Sequence, residues 1–268
     1  MLLTISAQSL WEKRKPRKGD ADPLSLPGMI RDEFELSGLT LHTAMLAGWE
    51  APLLERFRDE ADKAGCPCLL LVEPTPQTLG DRDARKSEAA FERIDRVLRA
   101  AHRLGCSSVA FSIANPGDAA LTEGLVQRLK QVIGRAERLE LNLLLAPCEG
   151  LTETPEGLTA LIRKVGGFRI GSFPDFQTAA TNADPGPYLR GLAPYANAVC
   201  ASVLDFDASG RHKAFDLELC MSSIRAVGFD STLTLEYRGK GDPIPALRAA
   251  KSVIESFLSD GPAEDADE

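Results

Sequence analysis

The sequence predicts a closed barrel of eight parallel β-strands, each followed by an α-helix, in a single α/β domain. Two observations predict this fold: eight short apolar runs recur along the 268 residues, and charged amphipathic stretches lie between them. Apolar runs without alternation are typical of strands buried on both faces, and intervening helices make parallel crossovers. Eight such units fit a (β/α)8 barrel, for which about 250 residues is typical. An open doubly wound sheet is the alternative, and it is disfavoured because no glycine-rich nucleotide-binding fingerprint follows the first run.

The predicted strands are short aliphatic runs bounded by turn residues. In chain order they are Leu2–Ser6, Leu39–Thr43, Cys68–Glu73, Ser108–Ser112, Leu141–Ala146, Phe168–Phe173, Ala198–Leu204 and Thr232–Tyr237. Because the carboxyl ends of barrel strands converge on one mouth, the side chains at these ends are the candidates for function.

The predicted helices carry apolar residues three and four positions apart and charges on the opposite face. Several begin with proline, whose missing N–H is harmless in the first turn, and four stop at a glycine suited to a left-handed cap. The helical patterns are Leu24–Phe34, Pro52–Ala64, Arg85–Leu104, Leu121–Arg138, Pro155–Val165, Pro187–Leu192, Leu217–Val227 and Pro243–Leu258, and the stops are Gly65, Gly105, Gly166 and Gly228.

Composition argues against several classes of protein. The chain has 31 Lys and Arg against 39 Asp and Glu, and a net charge of -8 disfavours nucleic acid as a partner. Its longest apolar runs fall far short of the roughly 20 residues that span a bilayer, and no basic segment of a signal peptide opens it. The six cysteines lack the spacing of a disulfide scaffold. We therefore expect a cytoplasmic protein with no membrane partner.

Two charged segments stand outside the barrel pattern. Lys13–Lys18 holds five basic residues in the predicted first βα loop, which is either a solvated loop or a lid that meets an anionic ligand such as a sugar phosphate. Residues 260–268 hold five carboxylates and no large apolar residue, which predicts a disordered acidic tail. The predicted barrel domain therefore comprises residues 1–259.

Acidic side chains lie at the ends of three predicted strands. Glu73, Asp175 and Glu236 are expected to face the same mouth, where carboxylates repel one another unless a cation or a shared proton intervenes. A single acidic residue at such a place is more often a helix cap, so it is the set that predicts a polar pocket. Further candidates at the strand ends and in the loops after them are Ser6, His42, Cys148, Glu149, Cys200, Asp205, His212 and Arg238.

Segments of the second half of the chain carry a family resemblance. They include Pro174-Asp-Phe-Gln, Asp184-Pro, Val199-Cys-Ala-Ser-Val-Leu-Asp-Phe-Asp and Leu235-Glu-Tyr. In these segments and their spacing the chain resembles the xylose isomerase-like sugar phosphate isomerase/epimerase family, and it does so more loosely in strands two to four. The resemblance implies a metal-dependent TIM barrel that acts on a sugar or a sugar phosphate.

The metal site that the resemblance implies is incomplete. The family holds one divalent ion with Glu, Asp, His and Glu from strands five to eight. Asp175 and Glu236 match two of these positions, whereas Ala146 and Cys200 occupy the other two. We therefore expect either no cofactor or a weakly bound Mg, Mn or Zn ion, with the Cys200 thiolate or Glu149 as an additional candidate ligand.

Two functions stay open on the sequence. The first is a sugar or sugar-phosphate isomerase or epimerase with a degenerate metal site, in which Glu236, Glu73 and Glu149 supply acid and base. The second is a non-catalytic barrel of the same descent that binds a small molecule or a protein, so whether the protein is an enzyme is left open. We expect a small-molecule carbohydrate ligand, and the candidate substrate-binding residues are His42, Asp205, His212 and Arg238.

Arg238 has a further expected role. It lies two residues after Glu236 and therefore on the same strand face. Because a planar guanidinium can bridge two carboxylates, Arg238 is expected to neutralise the acidic mouth in place of the lost cation.

Overall fold

The computed structural model describes residues 1–11, 22–115, 119–182 and 184–259. The strands in this part of the chain are β1 (Leu2–Ser6), β2 (Leu39–His42), β3 (Cys68–Gln77), β4 (Ser108–Ile113), β5 (Asn142–Ala146), β6 (Ile170–Ser172), β7 (Ala198–Val203) and β8 (Thr232–Tyr237). The helices there are α1 (Gln8–Trp11), α2 (Leu26–Phe34), α3 (Ala51–Lys63), α4 (Ala84–Arg103), α5 (Ala119–Arg138), α6 (Pro155–Val165), α7 (Phe176–Ala179), α8 (Pro185–Leu192), α9 (Leu217–Arg225) and α10 (Pro243–Ser259). The basic segment Lys13–Lys18 and the predicted tail 260–268 lie outside the described residues.

The eight strands of the described residues form one parallel sheet in the order β6-β5-β4-β3-β2-β1-β8-β7. The sheet curls so that its two end strands meet through the isolated parallel bridges Ser172–Ala196 and Asp175–Cys200. We call this β6–β7 junction the seam. The predicted (β/α)8 barrel is confirmed.

Helix α4 illustrates why the predicted helices form. Asp83 caps its first turn, because its side chain accepts a hydrogen bond from Arg85 N at 2.9 Å. Gly105 follows its end with φ +77°, a conformation that glycine adopts without steric cost. The buried residues recur at helical spacing and face the barrel: Ala90, Phe91, Ile94, Val97, Leu98 and Ala101.

Several elements differ from the prediction. Strand β6 is shorter than Phe168–Phe173, because Phe168 lies in the turn after the glycines that end α6 and its side chain is fully exposed. Strand β3 continues past Glu73 to Gln77, with an irregular register between them. Helices α1 and α7 were not predicted, since a single turn is too short to show helical periodicity.

The interior of the barrel has a polar side and an apolar side. Thr234 Oγ1 donates to Thr40 Oγ1 at 3.1 Å across the interior, and Thr4 pairs with Thr234 in the sheet register, so β8, β1 and β2 line the interior with hydroxyls. The remaining strands supply an apolar cluster of Leu70, Val72, Ala110, Leu144, Ala146, Phe173, Ala198 and Cys200. On the outer face of the sheet, large side chains such as Phe57 of α3 and Phe111 of β4 are fully buried between the strands and the helices. Burying each of them stabilises the fold by about 1.5–3 kcal/mol.

None of the helices in the described part of the chain is both long enough and apolar enough to cross a membrane.

Candidate functional site

Arg238 lies at the centre of a charged cluster at the carboxyl ends of the strands. Its Nε donates to Glu236 Oε1 at 2.7 Å, and its Nη2 lies 2.8 Å from Asp175 Oδ2 and 3.7 Å from Cys200 Sγ. The Nη2–Oδ2 approach is an ion contact without the alignment of a hydrogen bond. One guanidinium therefore connects β8 with both strands of the seam.

Asp175 is held in place by the first turn of α7. Its Oδ1 accepts hydrogen bonds from Thr178 N at 2.8 Å and Thr178 Oγ1 at 3.0 Å, so the carboxylate caps this helix. The backbone bridge between Asp175 and Cys200 sets the carboxylate beside the thiol. Asp175 is only 7% exposed.

His42 joins the cluster from the end of β2. Its Nε2 lies 3.0 Å from Glu236 Oε2, although β1 separates the two strands in the sheet. The inward tilt of barrel strands brings such side chains together across the interior. We call Asp175, Glu236, Arg238 and His42 the mouth cluster.

The pKa values of the mouth cluster follow from burial and pairing. Burial alone would raise the pKa of Glu236, but the hydrogen bond with His42 and the charge of Arg238 outweigh it and lower this pKa to about 2. Burial opposes the charge of Arg238, yet Cys200, Asp175 and Glu236 beside it raise the pKa of the guanidinium. Burial, with the two carboxylates adding to it, raises the pKa of the Cys200 thiol. Glu236 and Arg238 are therefore charged at neutral pH, and the Cys200 thiol is neutral.

Glu73 lies apart from the mouth cluster. Side chains alternate along β3, and Val72 belongs to the interior cluster, so Glu73 faces α4. There Glu73 Oε2 accepts from Arg93 Nε at 2.7 Å and from Thr43 Oγ1 at 3.0 Å. The expectation that Glu73 shares the mouth with Asp175 and Glu236 is corrected: it forms a separate buried ion pair on the outer face of the strand.

Asp205 and His212 lie in the connection between β7 and α9. Asp205 Oδ1 accepts from the Tyr237 hydroxyl at 2.6 Å, and burial together with this hydrogen bond raises the pKa of Tyr237 to about 12. His212 Nε2 accepts from Leu204 N at 2.8 Å, and Nδ1 lies 3.1 Å from Phe215 O. Both ring nitrogens of His212 are thus engaged by the backbone of its own loop.

Glu149 and Cys148 line a cavity of about 640 Å³ beside the mouth. The cavity lies between the β5–α6 loop and the α7–α8 region, and its wall includes Thr178 and Tyr188. Thr178 also binds Asp175, so the cavity adjoins the mouth cluster. Its volume falls within the range of small-molecule sites, about 300–1,000 Å³.

Ser6, one of the polar residues at the predicted strand ends, also lies at this site, although the sequence assigned it no role. It pairs with Thr40 in the register of β1 and β2 and so faces the interior. Ser6 is fully buried, and its Oγ has no hydrogen-bond partner among the described residues. The unpartnered hydroxyl could not be read from a sequence in which Ser6 simply ends an apolar run.

No group of three or more His, Cys, Asp and Glu side chains that could hold a metal ion occurs within the described ranges. Glu149 lies on the exposed loop that borders the cavity and Cys200 lies in the interior wall, so the additional ligands considered for a metal are not gathered around one point.

A family model described as the xylose isomerase-like TIM barrel matches residues 32–258. The chain belongs to this family. Solved structures of similar shape include sugar epimerases. An L-ribulose 3-epimerase is 16% identical with a TM-score of 0.80, and the match covers 96% of this chain and 95% of that one. A 3-keto-D-glucoside 4-epimerase from E. coli is 13% identical with a TM-score of 0.75, over 96% and 99%.

A xylose isomerase-like TIM barrel protein from Mycobacterium smegmatis was solved in complex with magnesium. It is 16% identical with a TM-score of 0.67, and the match covers 90% of this chain and 91% of that one. No match to the chain was found among curated proteins.

Proposed function

We propose that this xylose isomerase-like barrel is a sugar isomerase/epimerase-like protein that binds a small carbohydrate at the mouth cluster. The observation that carries the proposal is the group of Asp175, Glu236, Arg238 and His42 at the carboxyl ends of the strands, in which both carboxylates are buried. In barrels of this fold the site of function lies at that end. Sugar epimerases among the solved structures of the same shape support a carbohydrate as the ligand.

Two buried polar atoms support a hydroxyl-rich ligand. Asp175 Oδ2 and Ser6 Oγ lack an aligned hydrogen-bond partner among the described residues. A buried polar group without a partner costs about 1–3 kcal/mol, so a ligand hydroxyl that reaches Ser6 Oγ is favoured, and one at Asp175 Oδ2 would add a hydrogen bond to its ion contact with Arg238. The hydroxyl lining from β8, β1 and β2 continues this polar side into the barrel.

The charge of the mouth favours a neutral sugar over a sugar phosphate. The Arg238 guanidinium is already paired with two carboxylates, so a phosphate would have to compete with Asp175 and Glu236 for it. The segment Lys13–Lys18 is the candidate that would reverse this preference. A comparison of binding for D-fructose and D-fructose 6-phosphate, in the native chain and after replacement of these basic residues by Ser or Gln, distinguishes the two ligand classes.

For catalysis we assign the proton transfer to His42. Isomerisation or epimerisation next to a carbonyl needs a base that removes a proton from carbon and a cation that stabilises the oxygen anion. Glu236, with a pKa of about 2, is a weak base, whereas its hydrogen bond orients the His42 ring. Arg238, with 37% of its side chain exposed, supplies positive charge toward a ligand oxygen.

The second candidate function is binding without catalysis. The observation that favours it is Ala146, a methyl group in the interior wall where the family resemblance places a carboxylate. A barrel with one acid/base candidate instead of two could hold a sugar without transferring its proton.

One experiment separates these outcomes. The protein is incubated with L-ribulose or D-fructose in D2O, and NMR follows both ligand saturation transfer and deuterium incorporation next to the carbonyl. Saturation transfer with deuterium incorporation that His42→Gln abolishes supports the enzyme. Saturation transfer without incorporation supports the binding barrel. Absence of both contradicts the proposal, and Arg93→Ala, which alters an ion pair outside the mouth, serves as the matched control.

A further inference from the structure

Four positions around the mouth are those at which the family resemblance places metal ligands. Two of them, Asp175 and Glu236, carry carboxylates. The Ala146 methyl and the Cys200 thiol at the other two belong to the apolar interior cluster, and Cys200 is 1% exposed. A divalent ion would therefore find two ligand groups where the family supplies four.

The four oxygens of these two carboxylates already face a hydrogen-bond donor or a cation. Thr178 binds Asp175 Oδ1, and Arg238 Nη2 lies against Oδ2. On the other carboxylate, Arg238 Nε binds Glu236 Oε1 and His42 Nε2 lies at Oε2. An ion that displaced Arg238 would regain only one oxygen from each carboxylate.

The ligand demands of divalent ions make this arrangement a poor fit. Mg²⁺ needs near-octahedral oxygen ligands, and structural Zn²⁺ needs four donors. An ion between Asp175 Oδ2 and Glu236 Oε1 would also lie where the guanidinium now lies, and two like charges cannot share that buried place. The residues present do not fit the metal that the family resemblance implies.

We infer that the Arg238 guanidinium is the resident cation of this mouth and takes the place of a divalent metal. Its planar shape matches two carboxylates that approach from different strands, 2.7 Å and 2.8 Å from its nitrogens. It keeps Asp175 and Glu236 together, as an ion would. Unlike an ion it is covalently bound to β8, so chelators do not remove it.

The test uses Mn²⁺ as the probe and needs no sugar, so it is independent of the proposed function. Native protein treated with EDTA is titrated with Mn²⁺, with free Mn²⁺ followed by electron paramagnetic resonance and the Tm by differential scanning fluorimetry. A ligand that binds only the folded state raises stability. Because we expect no Mn²⁺ site in the native protein, its Tm should move by less than ~1 °C at millimolar Mn²⁺. Mn²⁺ uptake by the native protein that Asp175→Asn abolishes would overturn the inference.

The variant arm asks whether the cation can be exchanged. Arg238→Ala should lower the Tm by ~5 °C or more, and methylguanidinium, which brings the same planar cation, should restore at least half of that loss, whereas Mn²⁺ should restore less. The matched control Arg93→Ala removes an arginine from a single buried glutamate and should gain less from methylguanidinium. If methylguanidinium does not restore Arg238→Ala, or if the Tm of this variant equals the native value, Arg238 does not act as the resident cation. Arg238→Gln, which keeps most of the side-chain volume, replaces the alanine variant if the latter does not fold.

Discussion

His42 Nε2 lies 3.0 Å from Glu236 Oε2, and this contact joins strands on opposite sides of β1. It is one of the two interactions that outweigh the burial of Glu236 and lower the pKa of this carboxyl from 4.5 to about 2. The contact therefore makes the stability of the barrel depend on pH in the acid range.

The first prediction concerns this acid dependence. A depressed pKa in the folded state contributes stability above pH 4.5, and this contribution is lost as the pH falls to about 2. Its size is on the order of 3 kcal/mol. Urea unfolding of the native chain and of Glu236→Gln across this window measures it. We expect the difference in free energy of unfolding to shrink as the pH falls, and a constant difference contradicts the assigned pKa.

The second prediction concerns Glu73 and Arg93. Arg93→Ala leaves the Glu73 carboxylate buried with Thr43 Oγ1 and Thr75 N as its remaining partners, so the free energy of unfolding should fall by about 1–3 kcal/mol. Sugar binding should stay unchanged, because this pair faces α4. The double variant with Glu73→Gln should be more stable than Arg93→Ala alone. Loss of sugar binding in Glu73→Gln, measured by calorimetry, would contradict this prediction and show that Glu73 takes part in the functional site.

The third prediction concerns the loop that His212 holds. Leu204 N donates to Nε2, so this nitrogen must be unprotonated and Nδ1 carries the hydrogen. Burial lowers the pKa of His212 below 6.5, so the unfolded loop takes up a proton first and the folded loop loses stability as the pH falls through 6.5. Hydrogen exchange of residues 204–216, corrected for the intrinsic rate, should show less protection at pH 5.5 than at pH 7.5. His212→Asn should remove this pH dependence, and unchanged protection in the native chain argues against it.

The fourth prediction concerns the seam. A Cβ on Gly171 would lie 2.4 Å from the carbonyl oxygen of Tyr195, so Gly171→Ala forces the backbone of β6 away from the turn that precedes β7. The cost is about 1–3 kcal/mol of unfolding free energy. Gly124→Ala in α5 is the control, since nothing lies within 4 Å of its Cβ and alanine in a helix stabilises by roughly 0.5–1 kcal/mol. Chemical denaturation should thus give changes of opposite sign in the two variants.

The barrel itself was predictable because its signal is repeated eight times. Strands buried on both faces give continuous apolar runs, and glycine stops mark where helices end. The same continuity hides which way a side chain points. Nothing in the run from Cys68 to Glu73 alternates in hydropathy, so the sequence could not tell that Glu73 faces α4 while Val72 faces the interior.

The mouth cluster was predictable only in part. Arg238 and Glu236 are two residues apart on one strand, so their common face follows from the strand period. The contact of His42 with Glu236 depends on strand tilt around the barrel, and the position of Asp175 beside Cys200 depends on how the seam closes. These distances are set by packing between distant segments and have no local sequence signal.

The side chain of Arg238 helps to close the barrel at the seam. Strands β6 and β7 meet through single bridges instead of a continuous ladder, and the guanidinium on β8 reaches across to Asp175 at that place. A ligand that competes for Arg238 or Asp175 must loosen the contact that keeps the barrel shut. The affinity of a ligand at this mouth therefore includes the free energy needed to break the contact between Arg238 and Asp175. Variants that weaken this contact should bind the ligand faster and have a less rigid barrel.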